Sequence, residues 1–268
     1  MPSIDFEDLL AQADRLRDSA QVDEAIDAYK EIVQLATDAH ETFFKARAFH
    51  LAGVSVKESV ISAESSYYRD ALNFFAQAQA LYQSLGDTQM LGALYRDIAI
   101  CGDYAGDFQV AINYFQKAIA VLEPTEFFGE LAITYDKLGL HFYKLGQLDE
   151  AQTFIDRALQ LFKKEPTAGF FRATTLLDAA KIQFRLGNFD RAYELAEESL
   201  GWFRADHPDA NYTRRLAQLF GLLSAIENEQ GNQKEAQQYY QQYQDLLKGF
   251  DPLATKVIEK DLRELTPA

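Results

Sequence analysis

The chain has 268 residues, 48% hydrophobic and 25% charged, which is ample for a folded core and unlike a disordered composition. Acidic residues outnumber basic ones 41 to 26, and the formal charge of -15 argues against a nucleic-acid backbone or an anionic membrane as the main partner, since both would repel the molecule. The one cysteine, Cys101, excludes an internal disulfide and points to a reducing compartment, so a cytoplasmic location is expected.

The N-terminus, MPSIDFEDLLAQADRL, has no basic stretch followed by an apolar run and does not read as a signal peptide. No apolar run in the chain approaches the length of a bilayer span. From there one phrase recurs: VDEAIDAY around Ala25, YRDALNFF around Ala71, FQVAINYF around Ala111, LDEAQTFI around Ala151, FDRAYELA around Ala192 and QKEAQQYY around Ala236. The alanines are spaced by 46, 40, 40, 41 and 44 residues, and Gly106, Gly146, Gly187 and Gly231 each stand five residues before one of them. The internal prolines, Pro124, Pro166, Pro208 and Pro252, follow a similar period of 42, 42 and 44 residues and leave long segments free to be helical. A period near 40 residues repeated six times is the pattern of a solenoid. The expected repeats are about 5–38, 41–86, 88–123, 128–164, 170–205 and 211–248 in a single domain, 1–268. After Pro252, Leu253, Val257, Ile258, Leu262 and Leu265 fall on one face of an amphipathic helix, about 252–265, suited to cap the stack.

The fourth repeat carries Tyr135-x-x-Leu138-Gly139-x-x-Phe142 and then Ala151-x-x-x-Ile155, which resembles the tetratricopeptide repeat in residue type and spacing. The resemblance covers roughly residues 5–250, with repeats longer than the usual 34. It implies an all-α, right-handed superhelical solenoid of antiparallel helix pairs, A and B. Gly146 then falls where helix A stops, and Gly139 where the two helices of a pair approach most closely. The corresponding positions, Ala13, Gly53, Ala99, Ala180 and Ser224, are all small. Four residues after the alanine stand Tyr29, Phe75, Phe115, Ile155 and Tyr240, with Ala196 the small exception. Repeat 2 carries extra length within VSVKESVISAESS.

Catalytic, metal and cofactor motifs are absent. The histidines, His40, His50, His141 and His207, show no paired metal spacing, and His141 and Cys101 sit at one repeat position that reads as core. Asp149-Glu150 and Glu197-Glu198 read as solvated helix faces. The pairs Phe43-Phe44, Phe127-Phe128 and Phe170-Phe171 read as helix-A starts packing on the preceding helix B.

What remains is surface. The resemblance implies that helix A lines the concave groove. Its groove positions would be Ala93, Arg96, Ile100, Asp103 and Tyr104 in repeat 3, and Ile133, Asp136, Leu140, Tyr143 and Lys144 in repeat 4. Repeat 5 would give Thr174, Leu177, Lys181, Phe184 and Arg185. These fifteen hold four basic and two acidic residues, whereas repeat 1 offers Glu7, Leu10, Asp14, Arg17 and Asp18. The family's asparagine and lysine pattern for clamping a C-terminal carboxylate is not present. The expected site is therefore Arg96, Tyr104, Asp136, Tyr143, Lys144, Lys181, Phe184 and Arg185, taking an acidic protein or peptide segment with an apolar anchor. Two functions are open: a non-catalytic scaffold, or a peptide-sensing regulator that changes conformation on binding a short signalling peptide. Such regulators usually carry an effector domain, for which repeats starting by about residue 5 and a terminal cap leave no room.

Overall fold

In a computed structural model that describes residues 4–19, 21–59, 65–165, 168–203, 210–250 and 252–263, thirteen helices follow one another among the described residues. They are α1 (Phe6–Asp18), α2 (Val22–Asp38), α3 (Thr42–Ser59), α4 (Ser65–Leu85), α5 (Thr88–Ala105), α6 (Phe108–Leu122) and α7 (Phe128–Lys144). These continue into α8 (Leu148–Phe162), α9 (Gly169–Arg185), α10 (Phe189–Phe203), α11 (Ala210–Glu229), α12 (Gln233–Leu247) and α13 (Pro252–Arg263). The chain divides into two compact units, Met1–Thr134 and Tyr135–Ala268.

Local sequence sets the helix ends. Asp5, Asp87 and Asp107 each accept a hydrogen bond from the backbone N–H three residues on, capping α1, α5 and α6. At the other end Gly146 takes φ +75°, the left-handed conformation that lets α7 stop and α8 begin two residues later.

The pairs of helices meet along a seam of small side chains. Ala25, Ala71, Ala111, Ala151 and Ala192 are all fully buried, and Ala236 nearly so. Gly139 faces this seam from α7: a Cβ there would lie 2.9 Å from Ile155 Cγ1 and 3.2 Å from the Ala151 carbonyl oxygen. The same holds at Gly53, whose Cβ would meet the Phe75 ring at 2.5 Å. Glycine's helix penalty of roughly 1 kcal/mol is thus the cost of a close approach. Large residues one turn beyond the alanine (Tyr29, Phe75, Phe115, Ile155) fill the space the small ones leave, and none of the four is exposed.

In the first unit, one core cluster joins α1, α2 and α3 around Leu10, Tyr29 and Ile32, and a second joins α3 to α6 around Phe75, Tyr82 and Leu94. In the second unit, one cluster runs from α7 to α13 around Ile155, Leu177, Leu200, Leu223 and Ile258. At one edge of it Trp202, Phe170, Phe203 and Tyr212 pack ring on ring, with Trp202 stacked on Tyr212 at 5.5 Å and 22°. Gly169 makes room for this indole, since a Cβ there would stand 2.6 Å from Trp202 Nε1.

Three details differ from expectation. Tyr240 is 40% exposed, because the helix that follows, α13, packs on α11, and Tyr243 supplies the buried ring of α12 instead. Phe170 adds ring contacts with Trp202, Phe203 and Tyr212 of the helices that follow, and Phe44 stacks on Phe6 of α1. Phe171 and Phe127 stay exposed. Of the expected capping face, Ile258 is buried in the core, Leu265 lies outside the described residues, and so do the side chains of Leu253, Val257 and Leu262.

Ala151→Leu forces methylenes against α7 at a fully closed position, where overpacking typically costs about 1–3 kcal/mol. Asp149→Ala, on the exposed first turn of the same helix, is expected to cost less than about 1 kcal/mol. Urea unfolding of both variants checks this, and equal losses would mean that the seam is elsewhere.

Candidate functional site

In the first unit, charged side chains on the odd-numbered helices answer one another across the stack. Arg47 of α3 donates to both oxygens of Glu7 on α1 at 2.8 Å. His50 Nε2 of α3 lies 3.1 Å from Asp97 Oδ2 of α5. Arg96 of α5 donates to Glu130 in the first turn of α7, with both side chains largely buried. Arg96, expected as a ligand-binding cation, therefore already has its counter-charge. Asp14 of α1, expected at the acidic end of the groove, accepts from Tyr29 Oη at 2.6 Å and pairs with Arg17 at 2.8 Å. Tyr104, at the end of α5, is 57% exposed as expected of a contact residue.

The second unit is arranged differently. Asp136 on α7 and Asp178 on α9 are both buried, 2% and 1% exposed. Each has one oxygen on a lysine of its own helix: Lys137 Nζ is 2.8 Å from Asp136 Oδ2, and Lys181 Nζ is 3.3 Å from Asp178 Oδ1. The other two oxygens, Asp136 Oδ1 and Asp178 Oδ2, are buried with no hydrogen-bond donor. Arg215 of α11 also acts on Asp178 while donating to Gln218 Oε1 at 2.9 Å.

Two carboxylates in one buried place cannot be equivalent. Burial pushes the Asp136 carboxyl above the ordinary carboxylate range, and the negative charge of Asp178 pushes it further, against the opposing pull of Lys137. Burial also acts upward on Asp178, but Lys181, Lys137 and Arg215 together outweigh it and hold that carboxyl below the ordinary range. The two carboxyls are thus pushed in opposite directions, Asp136 toward its neutral form and Asp178 toward its charged form.

Further along the same two helices are two more cations. Arg185, at the end of α9, sits with its guanidinium 5.0 Å above the Tyr143 ring, and Lys144 is exposed at the end of α7. Tyr143 is only 8% exposed and Phe184 only 2%, the latter packed against Phe189 in the core. These two rings were expected to offer contact area to a ligand. They do not, because in each helix that register position turns into the core and the residue after it turns out. The exposed apolar residues beside the cations are Leu145 and Leu186, each 37% exposed. Lys137, Asp178 and Arg215 are charged groups of the site that the groove rule passed over. Lys137 and Asp178 occupy one repeat position, 41 residues apart, with opposite charges, and that reversal was the available signal. Among the described residues no group of three or more His, Cys, Asp and Glu side chains could hold a metal ion. No helix among them is long and apolar enough to cross a membrane.

Residues 130–205, which carry much of this charge cluster, match the tetratricopeptide repeat family. Comparison with curated proteins gives no match. Among solved structures, the chain is similar to BtubC (BKLC) from P. vanneervenii, with a TM-score of 0.69 at 17% identity over 93% of this chain and 95% of that one. It is similar to the Rap protein complexed with Competence and Sporulation Factor, with a TM-score of 0.62 at 17% identity over 98% of this chain and 66% of that one. It is also similar to NprR in complex with its cognate peptide NprX, with a TM-score of 0.61 at 15% identity over 98% and 73% of the two chains. The family match is to residues 130–205 of the chain, and the whole has an all-α helical-repeat fold of the solenoid class.

The two aspartates should respond to opposite pH trends. Asp178, with its folded pKa lowered, adds stability that is present above the unfolded carboxylate range and is lost as pH falls. Asp136, with its folded pKa raised, favours the folded state more at low pH and loses that contribution as pH rises through its folded value. Asp178→Ala at neutral pH strands Lys181 and should cost about 3–5 kcal/mol, as for other broken buried pairs. Asp136→Asn should cost far less, and the variant's stability relative to wild type should increase as pH rises from about 4 to 7. Thermal melts across that range decide it.

Proposed function

We propose that this chain is a binding module without chemistry of its own, which holds a protein or peptide segment against the charged cluster of α7, α9 and α11. The observation that carries this reading is the local charge. Lys137, Lys181 and Arg215 act on two buried carboxylates, and Lys144 and Arg185 stand further along α7 and α9, on a molecule of formal charge -15. In the first unit the corresponding cations Arg47 and Arg96 are matched by carboxylates from a neighbouring odd-numbered helix. A concentration of cations on a molecule of net negative charge favours an acidic ligand, through faster encounter and through pairing in the bound state. Leu145 and Leu186, next in sequence to Lys144 and Arg185, supply the apolar contact that such a segment's anchor needs. The cytoplasm is the compartment consistent with a single buried cysteine.

A second reading, a regulator that senses a short signalling peptide, has one observation in its favour. Two structural neighbours are complexes, NprR with its cognate peptide NprX and Rap with Competence and Sporulation Factor.

The probe for the first reading is a capped peptide of glutamates flanking a leucine, with affinity read by fluorescence polarisation. Binding should weaken as salt is raised, because exposed charges are screened over about 8 Å at physiological ionic strength. Lys144→Glu with Arg185→Glu should weaken it about tenfold or more while leaving the melting temperature within a few degrees of wild type. An affinity indifferent to both salt and the double substitution places the ligand elsewhere.

A further inference from the structure

Hydrogen-bond accounting exposes an unfinished arrangement in the second unit. A buried carboxylate is stable when its oxygens are supplied with donors or a counter-charge. Asp136 and Asp178 present four oxygens and are supplied by two lysines, one each, leaving Asp136 Oδ1 and Asp178 Oδ2 enclosed and without a donor. From the facing helix α9, the Thr175 side chain also favours the charged form of Asp136, but Asp136 Oδ1 itself meets no donor. The charged groups that act on the pair are Lys137 on α7, Lys181 on α9 and Arg215 on α11, and Arg215 gives a hydrogen bond to Gln218.

The two lysines are the cations that hold the pair from its own helices. Lys181 is 12% exposed and Lys137 26%, so their ammonium groups border the surface while the carboxylates behind them do not. An ammonium that turns to a ligand carboxylate leaves its aspartate, and two charges of like sign then face each other in a buried place with less compensation. The least costly response is to neutralise one of them.

Resting on the acidic-ligand reading above, we propose that binding of an acidic segment is coupled to the uptake of one proton from solvent, which Asp136 receives on its unpartnered oxygen. The step balances simply: the ligand carboxylate takes over the lysine ammonium, the solvent proton bonds to Asp136 Oδ1, and Asp178 keeps its charge. The proton turns an enclosed oxygen that lacked a donor into a donor and removes one of the two like charges. The direction of the Asp136 shift agrees with it as the receiver. The consequence is a pH-dependent affinity: acidic ligands bind more tightly as pH falls, until the free protein already carries the proton.

The test is isothermal calorimetry of the full chain with the capped glutamate–leucine peptide in pairs of buffers of different ionisation enthalpy, repeated from about pH 5 to pH 8. A second peptide in which cysteic acids replace the glutamates keeps the negative charge on groups that do not titrate, so that any proton taken up belongs to the protein. The expected result for wild type is uptake approaching one proton at some pH within the range, with both peptides. Affinity should change up to tenfold per pH unit there, the limit for one linked proton. Asp136→Asn should show no uptake and an affinity independent of pH. Should that variant fail to fold, carbon-13 NMR of aspartate carboxyls in wild type, with and without the cysteic acid peptide, reads the same event as one carboxyl that becomes protonated on binding. Binding without proton uptake, or uptake undiminished in Asp136→Asn, overturns the coupling and leaves the acidic-ligand reading standing. No binding of either peptide at any pH overturns both.

Discussion

The close approach of paired helices at a seam of small side chains is the constraint on which the other features depend. Where Gly139 meets Ile155 and the Ala151 carbonyl, nothing larger than hydrogen fits on α7. That contact fixes the rotation of both helices about their axes and so decides which residues of each are buried and which are exposed. The cost is local and small, roughly a kilocalorie for a glycine in a helix, while the return is the burial of rings and branched chains such as Phe75, Phe115 and Ile155 one turn away. The charged residues inherit their positions from that rotation.

The two units use the same rotation for different ends. In Met1–Thr134, a cation on one odd-numbered helix meets an anion on the next, as in Glu7–Arg47 and Arg96–Glu130. Such pairs fasten neighbouring helices and consume their own charge. In Tyr135–Ala268 the lysines are held by aspartates of their own helices, and the aspartates are pulled into the interior. This difference, more than the net charge of either unit, makes the second unit the better candidate for recognition.

Much of the fold was legible in the sequence because the seam leaves a periodic record. The buried alanines from Ala25 to Ala236 and the turn at Gly146 could be read off directly, since each position excludes larger or β-branched residues for a steric reason. The candidate site was legible only in part. Lys144 is exposed and Lys181 and Arg185 are partly so, but Tyr143 and Phe184 point inward, because a rotation of one residue within a helix is invisible to a rule that counts positions. Pairing was less legible still. That Arg96 is matched by Glu130, or that Asp136 shares a buried place with Asp178, depends on contacts between helices 34 and 42 residues apart in sequence, and no local pattern encodes them. At the chain's end Tyr240 stayed exposed, as the repeat pattern presumes a neighbour that α12 does not have on that side.

The indole held by Phe170, Phe203 and Tyr212 gives the second unit an optical label of its own. Trp202 is the sole tryptophan of the chain, so light absorbed near 295 nm is taken up at one place, where α9, α10 and the start of α11 meet. Its emission reports on the order of that corner and is silent about the first unit, while circular dichroism reads helices in both. Comparing the two signals during unfolding separates the melting of the second unit from that of the whole without any added dye or engineered residue.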